Sequence, residues 1–155
     1  MIEATVVVPT YERPARLPRL LAALEAQTFD HDAFEVVVVD NGSGDDTPAV
    51  LDALAAASPL EVRVVRLEGN TGPARARNAG WRAARAPLVA FTDDDCEPTP
   101  GWLDALLDAG RGKDHAIVQG RTLPNPAERD ALGPFAKTVS IPVASPHFET
   151  CNIAY

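Results

Sequence analysis

What the chain has little of narrows its chemistry first. Fourteen Lys and Arg face 22 Asp and Glu, for a formal net charge of -8 and a pI near 4.8. Without a basic excess, counterion release gives no drive toward nucleic acid or an anionic membrane. A phosphorylated ligand would have to be held locally. The two cysteines, Cys96 and Cys151, are too far apart in sequence for a zinc-ligand pair and too few for a disulfide framework. A reducing, cytoplasmic setting is the expectation. No apolar run approaches membrane-spanning length, and a strand entered by Ala4 leaves no room for a signal peptide. There is no Gly-x-x-x-x-Gly-Lys-Ser/Thr, no Gly-x-Gly-x-x-Gly after the first strand, and no Gly-x-Ser-x-Gly elbow. These absences count against nucleoside triphosphatases, nicotinamide dehydrogenases and elbow-type hydrolases. His31, His115 and His147 stand singly and read as surface residues.

What is present suits a single domain: 155 residues, 46% hydrophobic and 23% charged. Ala4 to Val8 reads as a strand buried on both faces, closed by Pro9-Thr10. Leu17, Leu20, Leu21 and Leu24 then mark one face of a helix, with Pro14 near its start. Val36 to Val39 is a second buried strand, ended by Asp40 and a turn over Asn41-Gly42-Ser43-Gly44. A helix follows from Pro48 to Ala57, capped by Asp46 or Thr47. Val62 to Arg66 alternates as a third strand, and a third helix runs from Pro73 to about Arg85. Leu88 to Thr92 is a fourth strand, and a helix from Pro100 turns Trp102, Leu103, Leu106 and Leu107 inward. Strand–helix alternation of this kind predicts an α/β fold: a mostly parallel sheet with helices on both faces. In such a sheet every strand's C-terminal end lies on one edge, where ligands bind. Thr10-Tyr11-Glu12, Asp40 and Asp93-Asp94-Asp95 all sit at such ends.

Three adjacent carboxylates repel one another, so the run at 93–95 needs either full hydration or a cation. Hard oxygens of this kind suit Mg²⁺ or Mn²⁺, which take one or two carboxylates and leave the remaining positions to water and phosphate. A solvated turn capping the next helix is the plainer alternative. Asp40 likewise fits either a hydrogen bond to a base or ribose, or an Asx-type turn with the amides of Gly42 or Ser43. Arg75 and Arg77 lie near a helix N-terminus, where dipole and guanidinium both favour a diphosphate. Arg82 and Arg85 fit a solvated helix face at least as well.

Together these segments resemble the GT-A nucleotide-sugar glycosyltransferases of the inverting family 2. Val6-Val7-Val8-Pro9-Thr10-Tyr11-Glu12-Arg13 is similar to the family's opening strand and base-binding loop, and Val37-Val38-Val39-Asp40-Asn41-Gly42-Ser43 to its second strand. Asn70-Thr71-Gly72 with Ala76-Arg77-Asn78-Ala79-Gly80 resembles its third signature, and Asp93-Asp94-Asp95 holds its Asp-x-Asp. The likeness covers roughly residues 4 to 110, with an echo at Thr150 to Ala154 of the segment beside the donor sugar. It implies a Rossmann-like GT-A sheet and transfer of a sugar from a nucleotide diphosphate sugar, UDP-linked in preference, to an acceptor hydroxyl. Pro9, Thr10, Tyr11, Glu12 and Asp40 would then hold the base, with Gly72 and Arg77 also on the nucleotide. Asp93 or Asp94 would take the ribose, and Asp95, with Asp93, the Mn²⁺ or Mg²⁺.

The resemblance implies a nucleotide-sugar domain over 1–119 and an irregular, incomplete acceptor-side segment over 120–155. Five prolines fall between Leu123 and Pro146, with only a weak helical stretch around Glu128 to Leu132. The family's general base, in a Glu-Asp pair, is expected after the Asn152 segment, and it is not found. Glu128, Asp130 and Glu149 are the only acidic residues after Asp114, and none has family-like surroundings. The expectation is a donor half-site that binds nucleotide better than it turns over, in a chain that reads as truncated. A non-catalytic nucleotide-binding module is the other reading. A sugar-1-phosphate nucleotidyltransferase is a third, but Tyr11-Glu12-Arg13-Pro14 is not its glycine-rich loop.

Overall fold

The computed structural model describes residues 1–113, 116–125, 140–143 and 150–155. Its frame is a six-stranded sheet in the order β3-β2-β1-β4-β6-β5. The strands are β1 (Ala4–Thr10), β2 (Phe34–Asp40), β3 (Glu61–Arg66), β4 (Leu88–Thr92), β5 (Val118–Gln119) and β6 (Asn152–Ala154). Strands β1 to β4 pair in parallel, and β6 runs antiparallel to both β4 and β5. The helices are α1 (Leu17–Glu25), α2 (Thr47–Ala57), α3 (Pro73–Ala83) and α4 (Trp102–Gly110).

Alternation along the Val-rich strands splits the core into two layers, because successive side chains leave a strand on opposite faces. Val6, Val8, Val36 and Val38 pack with Leu17, Leu20 and Leu24 of α1, Leu51 of α2, and Trp102, Leu103 and Leu106 of α4. Val7, Val37 and Val39 pack on the other face with Ala76 of α3, Phe91 and Ile153. The expected α/β sheet with helices on both faces is therefore present. Helix α3 lies close because Gly80 carries no side chain: a Cβ there would stand 2.3 Å from Val7 Cγ1 and 3.0 Å from Val39 Cγ2.

Several local expectations shift. Helix α1 begins at Leu17 with Pro18 in its first turn, so Pro14 lies in the preceding loop. Neither Asp46 nor Thr47 caps α2 through its side chain; Asp45 Oδ1 accepts from the Thr47 amide instead, at 2.9 Å. Helix α4 starts at Trp102 rather than Pro100. Strand β3 is half-buried along most of its length rather than alternating, as fits an edge strand under two partial layers. His31 is only partly exposed and meets Phe34 edge-on at 6.0 Å. The expected helical stretch around Glu128 to Leu132 lies outside the described residues, as do His115 and His147.

The largest departure is at Glu35. Strand β2 starts two residues before Val36 and carries this carboxylate into the core with no exposed surface. Thr5 Oγ1 donates to it at 2.9 Å, Arg63 Nη1 at 3.0 Å, and Arg85 through its amide, Nε and Nη2 at 2.9, 2.8 and 2.6 Å. Burial alone would push the Glu35 pKa up, but these donors together pull it down to about 2. Arg85 also pairs with Glu61. It is thus a partner of a buried anion just beyond α3, not a residue of a solvated helix face.

Candidate functional site

The parallel register brings the sequence-distant polar ends together. Thr10 pairs with Asp40, and Asp40 with Arg66, so three strands end in line. Asn152 opposite Thr92 puts the start of β6 at the same edge. A cleft of about 440 Å³ opens there, lined by Pro9, Thr10, Tyr11, Arg13, Asn41, Asn70, Pro73, Ala76, Arg77 and Asp93 to Asp95. Of the expected nucleotide residues, Pro9, Thr10, Tyr11, Arg77, Asp93 and Asp94 line the cleft, as does Asp95. Glu12, Asp40 and Gly72 do not.

Asp40 is 2% exposed, and its Oδ1 accepts from the Ser43 amide at 3.0 Å. The Asx-type turn is therefore made. It shapes a close approach between two loops: a Cβ on Gly42 (φ 78°) would lie 2.3 to 2.5 Å from the backbone of Gly69. Across that contact Asn41 Nδ2 donates to Asn70 Oδ1 at 3.0 Å. Asn41 Oδ1 in turn accepts from the Thr71 amide (3.1 Å) and hydroxyl (2.9 Å). The Gly72 amide donates to Asn70 Oδ1 at 3.0 Å. Asn41 and Asn70 were not anticipated as wall residues; only their neighbours, Asp40 and Gly72, were.

The three aspartates have three different environments. Asp94 is 5% exposed: Thr10 Oγ1 donates to its Oδ2 at 2.7 Å and Arg13 Nη1 to its Oδ1 at 3.0 Å. Burial raises the Asp94 pKa above its ordinary value, with Thr10 and Arg13 pulling the other way. Asp94 in turn holds the Arg13 guanidinium above its usual range. Asp95 is exposed and accepts from the same Arg13 nitrogen at 3.2 Å. Asp93 is half-buried and pairs with Arg77 Nη2. Among the described residues the buried Arg77 Nε has no partner, which makes it a spare donor on the cleft wall. Arg75 is exposed and is not part of the lining.

Arg13 was missed as a site residue because its partners are some eighty positions away. Its backbone is set by Glu12, which takes the left-handed conformation (φ 51°) that side chains disfavour. The Glu12 amide donates to Ser43 Oγ at 2.9 Å, tying this turn to the Asp40 turn.

The donor set fits a divalent ion held as Mg²⁺ or Mn²⁺ usually is. Asp93 and Asp95 offer hard oxygens on one rim of the cleft. Among the described residues no group of three or more His, Cys, Asp or Glu is placed to hold a metal ion, so an ion on these aspartates would need water and phosphate oxygens to complete its shell. Asn152 is not among the lining residues of this cleft, and its side-chain amide is bonded to other elements. Its Oδ1 accepts from Trp102 Nε1 at 2.8 Å, and its Nδ2 donates to the Arg121 carbonyl at 3.0 Å. Cys96 and Cys151 are neighbours there, with Cys96 Sγ 3.9 Å from the Cys151 carbonyl. Burial pushes the Cys96 thiol up to about 11.

This mostly parallel sheet, whose strand ends meet the Asp93–Asp95 run at an open cleft, has the GT-A fold of the glycosyltransferase structures that superpose on it. The chain belongs to glycosyl transferase family 2, whose family model matches residues 5–138. It is 40% identical over 115 residues to validoxylamine A glucosyltransferase of Streptomyces hygroscopicus subsp. limoneus, covering 74% of this chain and 25% of that protein. It is 31% identical over 125 residues to the glycosyltransferase AglE of Haloferax volcanii, covering 78% and 40%. Among solved structures, the mannosyltransferase PcManGT of Pyrobaculum calidifontis in complex with GDP-Man and Mn²⁺ superposes with a TM-score of 0.71 at 30% identity, covering 76% and 34%. Staphylococcus aureus TarS 1-349 in complex with UDP-GlcNAc gives 0.66 at 30% identity, covering 80% and 37%. The chain thus spans two fifths or less of each of these proteins. No helix among the described residues is long and apolar enough to cross a membrane.

Proposed function

We propose that this chain forms the donor half of a transferase site. It would bind a nucleotide diphosphate sugar, UDP-linked in preference, whose sugar passes with inversion to an acceptor hydroxyl. One observation carries the reading: the Thr10–Asp94 hydrogen bond ties the C-terminal end of β1 to the aspartate run, joining the two segments expected to bracket a nucleotide. Family membership and the ligands named for PcManGT and TarS support it.

Each part of the cleft has a task in this scheme. Pro9, Thr10 and Tyr11 form the floor under the base, and the Asn41–Asn70 contact forms its side wall. Glu12, Asp40 and Gly72 act on the nucleotide by shaping the turns that place those residues. Asp93 or Asp94 takes the ribose. Asp94, already bonded through both oxygens, is the fixed one, and Asp93 is the more accessible. Arg77, with a spare Nε, meets the diphosphate. Asp95, with Asp93, would hold Mn²⁺ or Mg²⁺, which when bound neutralises the charge that builds on the leaving diphosphate.

Inversion in one displacement also requires a carboxylate to take the acceptor's proton. The cleft's described lining has no acid other than the three aspartates, and Glu128, Asp130 and Glu149 lie outside the described residues. The base is therefore proposed to come from outside this described cleft wall. Calorimetric titration of UDP, GDP and dTDP, each with and without Mn²⁺, on the wild type and Asp95→Ala tests the reading. Metal-dependent binding of one nucleotide, lost in the variant, supports it and identifies the donor base. Substantial acceptor glycosylation by these 155 residues alone would refute the half-site assignment.

A further inference from the structure

We propose that Arg13 is a tethered counter-ion for the aspartate run, which a divalent cation displaces from Asp95 while its bond to Asp94 stays in place. The inference rests on the metal reading of Asp95 above and adds a residue that reading does not use.

A single nitrogen, Arg13 Nη1, bridges Asp94 Oδ1 at 3.0 Å and Asp95 Oδ2 at 3.2 Å. It therefore sits in the wedge between two consecutive carboxylates. A cation on Asp95 would stand about 2.0–2.1 Å from an oxygen there. On Oδ2 it would compete for the lone pairs that Arg13 uses, and on Oδ1 it would still repel the guanidinium across the same carboxylate. Both cannot hold that oxygen in the same geometry.

The two halves of the bridge differ in strength. Asp94 has 6% of its side chain exposed and depends on Thr10 and Arg13 for both oxygens, so stripping its cation would leave a buried, poorly solvated anion. Asp95 has 45% of its side chain exposed and can exchange Arg13 for water at little cost. Arg13 itself is 53% exposed, so its head has space to turn. Its backbone does not move with it, because the Glu12 turn is pinned to Ser43. The movable part is the Asp95 contact alone. In the metal-free state it compensates charge that would otherwise strain the run. Once released, the guanidinium has an N–H free at the cleft mouth for a phosphate oxygen.

Mn²⁺ is titrated calorimetrically into wild type, R13Q and D95N, each alone and with UDP or GDP. R13Q is expected to take up Mn²⁺ alone roughly two- to fivefold more tightly than wild type, the scale of one exposed charge pair, and D95N to weaken uptake. Removing a positive charge would tighten metal binding even without displacement, so the wild type supplies the second readout. The Arg13 guanidinium ¹⁵N–¹H signals, assigned with R13K, are expected to shift and exchange faster with water as MgCl₂ is added with UDP or GDP. If those signals stay unmoved at saturating Mg²⁺, or R13Q binds Mn²⁺ no more tightly while D95N still weakens it, the Arg13 inference falls and the metal reading stands. If no variant takes up Mn²⁺ in any condition, both fall. An R13Q that does not fold leaves the wild-type signals to decide.

Discussion

Trp102 Nε1 donates to Asn152 Oδ1 at 2.8 Å, fastening the first turn of α4 to the first residue of β6. Trp102 is buried and Asn152 half-buried; the indole makes its single donation here, and Asn152 Nδ2 donates one N–H to the Arg121 carbonyl. Trp102→Phe keeps the packing and removes the donor. The expected loss is about 0.5–1.5 kcal/mol, the net contribution of one intramolecular hydrogen bond, read from urea unfolding followed by far-UV circular dichroism. An unchanged midpoint would mean that water replaces the indole there.

Glu35 gives a stability profile with a definite sign. Its pKa is about 2 in the folded chain against 4.5 ordinarily, so its contribution is complete above pH 4.5. It is lost as pH falls through 4.5 toward 2. Allowing for solvent at the half-exposed arginines, that contribution is about 2–3 kcal/mol. Glu35→Gln should melt lower than wild type at pH 7, and the gap should close on acidification. A gap that stays constant down to pH 2 would show that packing, not charge, accounts for it.

Gly80 should not tolerate even a methyl group. Alanine there collides with Val7 and Val39, and Gly80→Ala is expected to cost about 1–3 kcal/mol as an overpacked contact. Because α3 also carries Arg77, nucleotide affinity measured by calorimetry should fall with stability. Stability lost with affinity kept would show that α3 tilts about its N-terminal turn.

Cys96 should be a slow thiol. With its pKa at about 11 rather than 9, alkylation by iodoacetamide should keep accelerating up to pH 11 in the folded protein, as followed by peptide mass spectrometry. In denaturant the midpoint should return to the ordinary thiol range. A folded-state midpoint at or below 9 would contradict the burial described here.

The alternation of strands and helices from Ala4 to Thr92 was legible because its cues are local: valine runs, a leucine face, and the prolines that open α2 and α3. What escaped reading depends on partners distant in sequence. A charge at position 35 looks like a strand boundary until Arg63 and Arg85 are placed beside it. Arg13 looks like a solvated loop residue until β1 and β4 pair and bring Asp94 to it. Asn41 and Asn70 lie 29 positions apart, and no periodicity connects them. For Asp40 the sequence offered a turn or a contact to base or ribose, and its carboxylate is engaged in the turn. Strand β6 was legible only as an echo of the segment beside the donor sugar, because three residues carry too little pattern to reveal which neighbours they join.

That short strand has a consequence for handling the protein. Residues 152–154 lie along β4, and Val89 and Tyr155 exchange both backbone hydrogen bonds, at 2.8 and 3.1 Å. Removing the residues after 150 would leave the donor-side aspartates in their loop but uncover the backbone of one of the most apolar strands in the sheet. An uncovered strand of that kind recruits other chains. Loss of colloidal behaviour, seen as light scattering on concentration, would then precede any loss of ligand affinity, so a shortened variant that precipitates has reported on its seam and not on its pocket.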